Sequence, residues 1–416
     1  MSSEQAATVG GGAIIQTAVS LGILILAAKM MGELFERLKQ PAIVGMLIGG
    51  IIVGPYALGS ISVFGGAPLV SLTEVVRQFG EIAAIVILFI AGMEMSPKEF
   101  AQRAGSSFTV GSLSVIVPFI GGFLLFALYD YPLLETLLAA VAITATSIAI
   151  TVQVLKNLGK MENDEARLIL AAALIDDVIA IAVLSVVMSL VGPDGEGTVS
   201  IQASEVIFRI LQVLGAFVAI ILVAVLVVPR ILRSERLWRS EGSKEIVATG
   251  IFLIVAGIAA SSGLSPITGS FAVGMAVAAN NKVKKKIEKY ADHMGLFFVP
   301  LFFGIIGAQV NLRGINIFVV YFAAIMTAVA IVTKIAGSGL PAILFLKDKA
   351  KGMKVGIGMI SRGEVGLIVA QVGLSAGAVT RDVYTMVVIM VAATTIITPI
   401  WLKRKYKGEE KKNEDR

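Results

Sequence analysis

Residues 166–187 read ARLILAAALIDDVIAIAVLSVV, an apolar run with two adjacent aspartates at its centre. The apolar segment around it, 164–191, is longer than the roughly 20 residues that a helix needs to cross a bilayer. A charge at the bilayer centre costs at least about 2.5 kcal/mol, so Asp176 and Asp177 are candidates for a functional site. Adjacent helical residues point roughly 100° apart, which predicts different neighbours and different roles for the two carboxylates.

The composition of the whole chain is typical of an integral membrane protein. Hydrophobic residues make up 56% of the 416 residues and charged residues only 15%, whereas soluble domains have about 45–50% and about 25%. The lack of Cys and the single His exclude disulfides, thiolate or multi-His metal sites and Cys nucleophiles. No P-loop, dinucleotide fingerprint or large loop is present. We therefore expect an all-α membrane protein that is not an enzyme, with no cofactor and no nucleotide-binding domain.

Thirteen apolar segments are predicted along the chain. Most reach the length of a membrane-spanning helix, and none shows the ten-residue alternation of a membrane β-barrel. Segments two, eight and nine are short and rich in glycine. The segments are 13–36, 41–58, 73–95, 104–129, 132–156, 164–191, 204–232, 246–262, 266–281, 291–309, 315–346, 353–377 and 381–402.

Basic residues predict the orientation in the membrane. With the N-terminus outside, most of the 35 lysines and arginines fall in inner loops and in the C-terminal tail. The outer loops contain only Arg313 and Arg381. This positive-inside pattern predicts a multi-pass protein of the cell (plasma) membrane with a cytoplasmic C-terminus. It also accounts for the net charge of +6 without a nucleic-acid partner.

The odd number of segments predicts two halves of opposite orientation. Segments one to six begin outside, segments eight to thirteen begin inside, and segment seven joins them. Such inverted repeats are common in secondary transporters. The alternative is a large helical membrane protein without internal repeats.

Two further segments contain charges where charges are costly. Lys334 lies near the middle of segment eleven, where an ammonium would lose its proton or find an anion, and an aspartate at the same depth is the natural partner. A static pair that only fixes helix packing is the alternative. Segment twelve contains Arg362 and Glu364, and we expect Gly363 and Gly366 to interrupt its helix and expose carbonyls near an ion site. Otherwise the two charges pair elsewhere or reach the interface.

Hydroxyl groups cluster in segment five, within TATSIAIT (144–151). Thr146 and Ser147 belong to this cluster. Hydroxyls can join carboxylates around a hard cation. In membranes, Ser and Thr also commonly bond to the preceding turn or across helices, so this pattern by itself favours packing.

In this order, these elements resemble the monovalent cation:proton antiporter superfamily. The likeness is to the NapA-type sodium/proton exchangers of its second cation:proton antiporter family, and it covers most of the chain. Besides the lysine of segment eleven, the matching stretches are PAIVGMLIGGIIVGP (41–55), LFIAGMEM (88–95), ITATSIAIT (143–151), LIDDVIAI (174–181), FFVPLFFGIIGAQVNL (297–312) and SRGEVGLIVA (361–370).

The resemblance implies the NhaA/NapA-type antiporter fold and a homodimer in the lipid bilayer. Each subunit would have a dimerisation part and a mobile core that moves like an elevator, with segments five and twelve as broken crossing helices. The implied parts are 1–103 and 246–309 for dimerisation, 104–191 and 315–402 for the core, 204–232 for the linker helix and 403–416 for the tail.

The resemblance also assigns roles to the candidate residues. Asp177 matches the aspartate that binds the cation or the proton, and Asp176 matches the aspartate that pairs with the lysine, here Lys334. Thr146 matches a hydroxyl of the ion site, to which Ser147 is added as a candidate. With Asp177, Asp176 and Thr146 as Na+ ligands, the transported ions would be Na+ or Li+ and H+.

Segment twelve supplies supporting residues in this comparison. Glu364 matches a carboxylate of the second crossing helix, and Arg362 stands beside it. The activity implied is electrogenic Na+(Li+)/H+ antiport, with cation and protons competing at the paired aspartates. The alternatives are a K+/H+ antiporter of the same fold, a cation channel, for which no filter-like loop is visible, and a membrane-embedded enzyme with paired aspartates.

Overall fold

The computed structural model describes residues 3–64, 67–188, 203–234, 240–311 and 316–414. Within these ranges the chain is helical, apart from short turns and one antiparallel pair of strands, β1 (Ser62–Phe64) and β2 (Ala67–Pro68). The helices are α1 (Ser3–Arg37), α2 (Ala42–Val53), α3 (Glu74–Gly92), α4 (Pro97–Gln102), α5 (Ala104–Leu128), α6 (Leu133–Thr144), α7 (Ile148–Asn157), α8 (Asp164–Met188), α9 (Ala203–Arg233), α10 (Ser243–Ser261), α11 (Pro266–Ala278), α12 (Asn281–Ala308), α13 (Ile317–Lys334), α14 (Leu340–Leu346), α15 (Lys349–Gly358), α16 (Glu364–Ser375) and α17 (Arg381–Glu414).

Eleven candidate spans in the described part of the chain are long and apolar enough to cross a membrane. They are Ile14–Arg37, Ala42–Ser60, Glu74–Gly92, Ala104–Leu128, Leu133–Asn157, Asp164–Met188, Leu211–Arg233, Ser243–Ser261, Asn281–Ala308, Ile317–Leu346 and Arg381–Glu409. Two shorter apolar helices, Pro266–Ala278 and Val365–Ser375, lie in predicted segments nine and twelve. The all-helical membrane architecture is confirmed, and the count of thirteen crossings stays a prediction.

The predicted interruptions of segments five and twelve are present. Between α6 and α7, the backbone of Ala145 and Ser147 is extended, which ends the helical hydrogen bonding. Between α15 and α16, the residues from Met359 to Gly363 are not helical. The expectation that Gly366 also interrupts the helix is wrong, because Gly366 lies inside α16. There a Cβ would stand 3.2 Å from the carbonyl of Ala142, so this glycine allows close packing on α6.

The two interruptions hydrogen-bond to each other. The backbone N–H of Ser147 donates to the carbonyl of Ser361 (2.9 Å), and the Ser361 hydroxyl donates to the carbonyl of Ser147 (2.9 Å). The Thr151 hydroxyl donates to the carbonyl of Gly358 (2.5 Å). Backbone groups that leave a helix inside a membrane must find partners in the protein, and here each break supplies partners for the other.

One compact unit comprises Met1–Ile87 and His293–Ile315. Helix backbones approach one another closely in this unit. The approach requires glycine at position 45, since a Cβ there would lie 2.2 Å from the Met31 carbonyl oxygen. A Cβ at Gly50 would similarly lie 2.1 Å from the carbonyl oxygen of Gly304. Small residues allow membrane helices to approach in this way.

A second compact unit comprises Leu88–Asp292 and Asn316–Arg416, and it contains all the candidate site residues. Within it α5 packs against α6, α8 and α13, while α13 also packs against α17. The helices α9, α10 and α11 pack against one another. The assignment of parts to dimerisation and to a mobile core concerns assembly and motion, and it stays a prediction.

The carboxylate of Asp348 fixes the start of α15, which leads into the second interruption. Its Oδ1 accepts hydrogen bonds from the N–H groups of Lys351 (3.1 Å) and Ala350 (2.8 Å). These bonds hold the pKa of Asp348 below its usual value, against the smaller opposing effect of burial.

We expect Asp348→Ala to lower the free energy of unfolding by about 1 kcal/mol at neutral pH, as for other lost N-caps. Because the folded-state pKa is lowered, this stabilisation is present above the usual pKa of aspartate and is lost as the pH falls through the lowered value. In detergent, the apparent Tm of Asp348→Ala should therefore lie below that of the wild type at pH 7, and the difference should be much smaller in acid. A difference of the same size at both pH values would contradict this account.

Candidate ion-binding site

Lys334 and Asp176 form a buried ion pair in the interior of the second unit. Lys334 ends α13, and Asp176 lies in the middle of α8. The Lys334 Nζ stands 2.7 Å from Asp176 Oδ1, and neither side chain has any exposed surface. The partner expected for this lysine from its depth in the membrane is therefore present.

The ammonium of Lys334 uses its other two donors on backbone carbonyls. It donates to the carbonyl oxygens of Ser114 (2.7 Å) and Thr144 (3.0 Å). Thr144 ends α6, so its carbonyl has lost the helical partner that a continuing helix would give it. Ser114 lies four residues before Pro118 inside α5, and a proline has no N–H to donate. Lys334 thus satisfies two carbonyls that a helix break and a proline have freed.

Asp176 has one occupied and one available oxygen. Its Oδ1 accepts from Lys334 and from the hydroxyl of Ser114. Its Oδ2 is buried and has no hydrogen-bond partner among the described residues. A carboxylate oxygen in this position can become a cation ligand without leaving an existing bond.

Asp177 points to a different helix, as expected for adjacent helical residues. Its Oδ2 accepts a hydrogen bond from the hydroxyl of Thr268 on α11 (3.1 Å). Asp177 keeps 7% of its surface exposed, while Asp176 keeps none. The more accessible carboxylate is therefore Asp177, and the one held by the lysine is Asp176.

Thr146 and Ser147 lie in the first interruption. The Thr146 hydroxyl is 3.5 Å from the carbonyl oxygen of Thr144. The Ser147 hydroxyl is buried without a partner among the described residues. The described residues contain no group of three or more His, Cys, Asp or Glu side chains suited to a metal. The oxygens available are those of two carboxylates, hydroxyls and carbonyls, the ligand types that hard cations prefer.

Arg362 occupies the second interruption and is fully buried. It donates to the carbonyls of Ile360 (2.9 Å) and Met359 (3.2 Å), just after α15 ends, and to that of Ala330 (3.3 Å) on α13. The alternative that Arg362 reaches the membrane interface is therefore wrong, because helix-end carbonyls hold it inside. Glu364 begins α16, and its side chain lies outside the described residues.

A buried cation thus stands at the carboxyl end of a half-helix in each interruption. The carboxyl end of a helix carries partial negative charge, so Lys334 stabilises the end of α6 and Arg362 that of α15. Discontinuous helices around buried charges are the usual ion site of secondary transporters. The fold and the site place the chain in this class of membrane protein.

Comparison with known proteins identifies the family. The family model described as "Sodium/hydrogen exchanger, transmembrane" matches residues 22–406. The chain belongs to this family, and the resemblance found from its motifs is confirmed.

Relatives of similar length are named as antiporters. The Na(+)/H(+)-K(+) antiporter GerN of Bacillus cereus is 33% identical over 398 residues, which cover 94% of this chain and 96% of GerN. The high-affinity Na(+)/H(+) antiporter NhaS3 of Synechocystis is 32% identical over 426 residues, covering 94% of this chain and 90% of NhaS3.

A solved structure shares the fold. The sodium proton antiporter MjNhaP1 of Methanocaldococcus jannaschii at pH 8 aligns with a TM-score of 0.68 at 17% identity, covering 95% of this chain and 98% of MjNhaP1.

Proposed function

We propose that this protein is an electrogenic Na+(Li+)/H+ antiporter of the cell membrane. The observation that carries the proposal is the pair of adjacent buried carboxylates, of which Asp176 is ion-paired with Lys334 and Asp177 accepts a hydrogen bond from Thr268. A site of this kind can bind a metal cation in place of protons, and protons in place of the cation. The names of the relatives support Na+ and H+ as the ions.

Asp177 is the carboxylate at which the ions compete. It binds a cation or a proton, never both, and either one neutralises its charge. In an empty site the Asp177 carboxylate would cross the hydrocarbon with no bound cation or proton to replace its water, which is strongly unfavourable. The core can therefore move across the membrane with a cation or a proton bound, but not with the site empty. Each cation carried one way thus requires protons carried the other way.

Asp176 and Lys334 act as a charge switch. When a cation arrives, Asp176 turns toward it with Oδ2, the oxygen that has no hydrogen-bond partner in the described structure. Lys334 then loses its counter-ion and releases a proton, since a desolvated ammonium is unstable without an anion. The neutral amine keeps two N–H donors, enough for the carbonyls of Ser114 and Thr144.

The stoichiometry follows from this switch. One proton leaves Asp177 and one leaves Lys334 for each Na+ bound, so each cycle moves one net charge. A net charge is worth about 2.3 kcal/mol per 100 mV of membrane potential, and the potential would therefore drive the exchange.

The remaining architecture is part of the same proposal. The chain crosses the membrane thirteen times, as two inverted six-helix repeats joined by α9, with its N-terminus outside and its C-terminus in the cytoplasm. Two copies form a homodimer, and a core containing α5–α8 and α13–α17 carries the ions by an elevator movement.

The test is proton movement in proteoliposomes triggered by Na+, Li+ or K+ with the membrane potential clamped. We expect flux with Na+ and Li+, and none with choline or in protein-free liposomes. Flux with K+ alone would replace the proposal with a K+/H+ antiporter, a candidate that stays open because the relative GerN is named as an Na(+)/H(+)-K(+) antiporter. Cation currents that persist without any proton movement would indicate a channel.

A substitution at Gly363 tests the contact between the interruptions. A Cβ there would lie 2.6 Å from the Ser147 Cβ, which is fixed to the backbone and cannot move away. We expect Gly363→Ala to lower Na+-dependent proton flux by up to about 100-fold, because a displacement of about 1 Å can have this effect. Gly257→Ala on α10 meets no atom within 4 Å and should keep its flux at matched incorporation. Equal flux in both variants would show that transport does not depend on close contact between the two helix interruptions.

A further inference from the structure

Thr268 reaches the ion site from a helix that the sequence did not connect with it. It is the third residue of α11 and is almost completely buried. Its backbone N–H donates to the carbonyl of Ser265 (3.1 Å), while its hydroxyl donates to Asp177 Oδ2 (3.1 Å). The backbone of Thr268 is therefore tied to the start of its own helix, and its side chain to the carboxylate proposed to bind the ions.

The hydrogen bond favours one form of Asp177. A hydroxyl that donates to a carboxylate stabilises its ionised form and restricts its rotation. The hydroxyl oxygen keeps two lone pairs, so it can also face a cation bound at the carboxylate. Both effects favour cation binding.

Thr268 can support cation binding at Asp177 only in a conformation that keeps α11 beside α8. Under the proposed function, which this inference deepens, α8 belongs to the mobile core and α11 to the dimerisation part. An elevator movement of α8 past α11 must then separate the Thr268 hydroxyl from Asp177. We infer that Thr268 is a positioning residue that prepares Asp177 for a cation on one side of the membrane only.

The experiment compares the apparent KM for Na+ measured from each side of the membrane. The natural chain has no Cys, so a Gly408→Cys background, labelled with an impermeant thiol reagent, reports the orientation of each preparation. We expect Thr268→Val to raise KM about tenfold from one side, the size of one lost hydrogen bond to a charged group. The maximal rate and the KM from the other side should change little.

Two variants separate this role from a structural one. Thr268→Ser keeps the hydroxyl and should restore the KM of the wild type. Thr327→Val removes a buried hydroxyl whose hydrogen bond to the carbonyl of Ala323 (2.7 Å) stays within α13, and it should leave KM unchanged on both sides.

The outcomes distinguish the two proposals. An equal change of KM on both sides would show that Thr268 travels with Asp177, and no change on either side would remove Thr268 from the site. Either result would overturn this inference while wild-type Na+/H+ exchange persists. Absence of exchange in the wild type would instead overturn the proposed function itself.

Discussion

Asp177→Asn should reduce Na+-dependent proton flux to the level of protein-free liposomes. An asparagine amide neither gains nor loses a proton in the accessible pH range and has no charge to hold a cation. Its amide oxygen can still accept the hydrogen bond that Thr268 now gives to Asp177, so the packing of α8 should remain. The measurement is proton flux triggered by Na+ at matched incorporation, with the membrane potential clamped.

A matched control lies on the same helix. Asp164 begins α8, is 52% exposed and forms an ion pair with Arg103 (2.6 Å). Because it lies at the protein surface, Asp164→Asn should retain flux. Unchanged flux in Asp177→Asn would remove this carboxylate from the mechanism, and equal loss in both variants would indicate a general effect of carboxylate removal.

Lys334→Met should strongly destabilise the protein. The substitution leaves the charge of Asp176 buried without its partner, which typically costs about 3–5 kcal/mol. It also removes the donor for the carbonyls of Ser114 and Thr144. The apparent Tm in detergent should fall well below that of the wild type. Lys334→Met combined with Asp176→Asn removes both charges, and most of the lost stability should return.

The double variant also tests the charge switch. With Lys334 gone, only Asp177 exchanges a proton, so any remaining exchange should move one proton per Na+ and respond little to membrane potential. The measurement is the reversal potential of exchange at fixed ion gradients. If a Lys334 variant still exchanges two protons per Na+, the switch is wrong and the lysine is structural.

The sequence could predict the charged part of the site because charges in hydrocarbon are rare and costly. Asp176, Asp177 and Lys334 stand out in apolar segments for this reason, and their depth predicts an ion pair. The residues alone did not indicate which aspartate Lys334 contacts. That assignment came from the family resemblance, and the structure shows the lysine on Asp176.

Two hydroxyls that contact the aspartates, those of Ser114 and Thr268, were not predicted. Ser114 and Thr268 are ordinary residues of apolar helices, where most hydroxyls bond to their own backbone. Their contacts with the aspartates depend on helix packing between segments far apart in the chain. A proline inside α5, Pro118, was the one available signal that a carbonyl nearby would need another donor.

The paired hydrogen bonds between Ser147 and Ser361 have an evolutionary consequence. If substitutions made one of the two interrupted helices continuous, its backbone groups would form hydrogen bonds within the helix and no longer bond to the other interruption. The opposite break would then be left with polar groups unsatisfied in the membrane interior, at a cost of several kcal/mol for each group. Losing one break before the other would therefore pass through a less stable intermediate protein. Selection should therefore retain the two together across descendants, even where the side chains around them diverge.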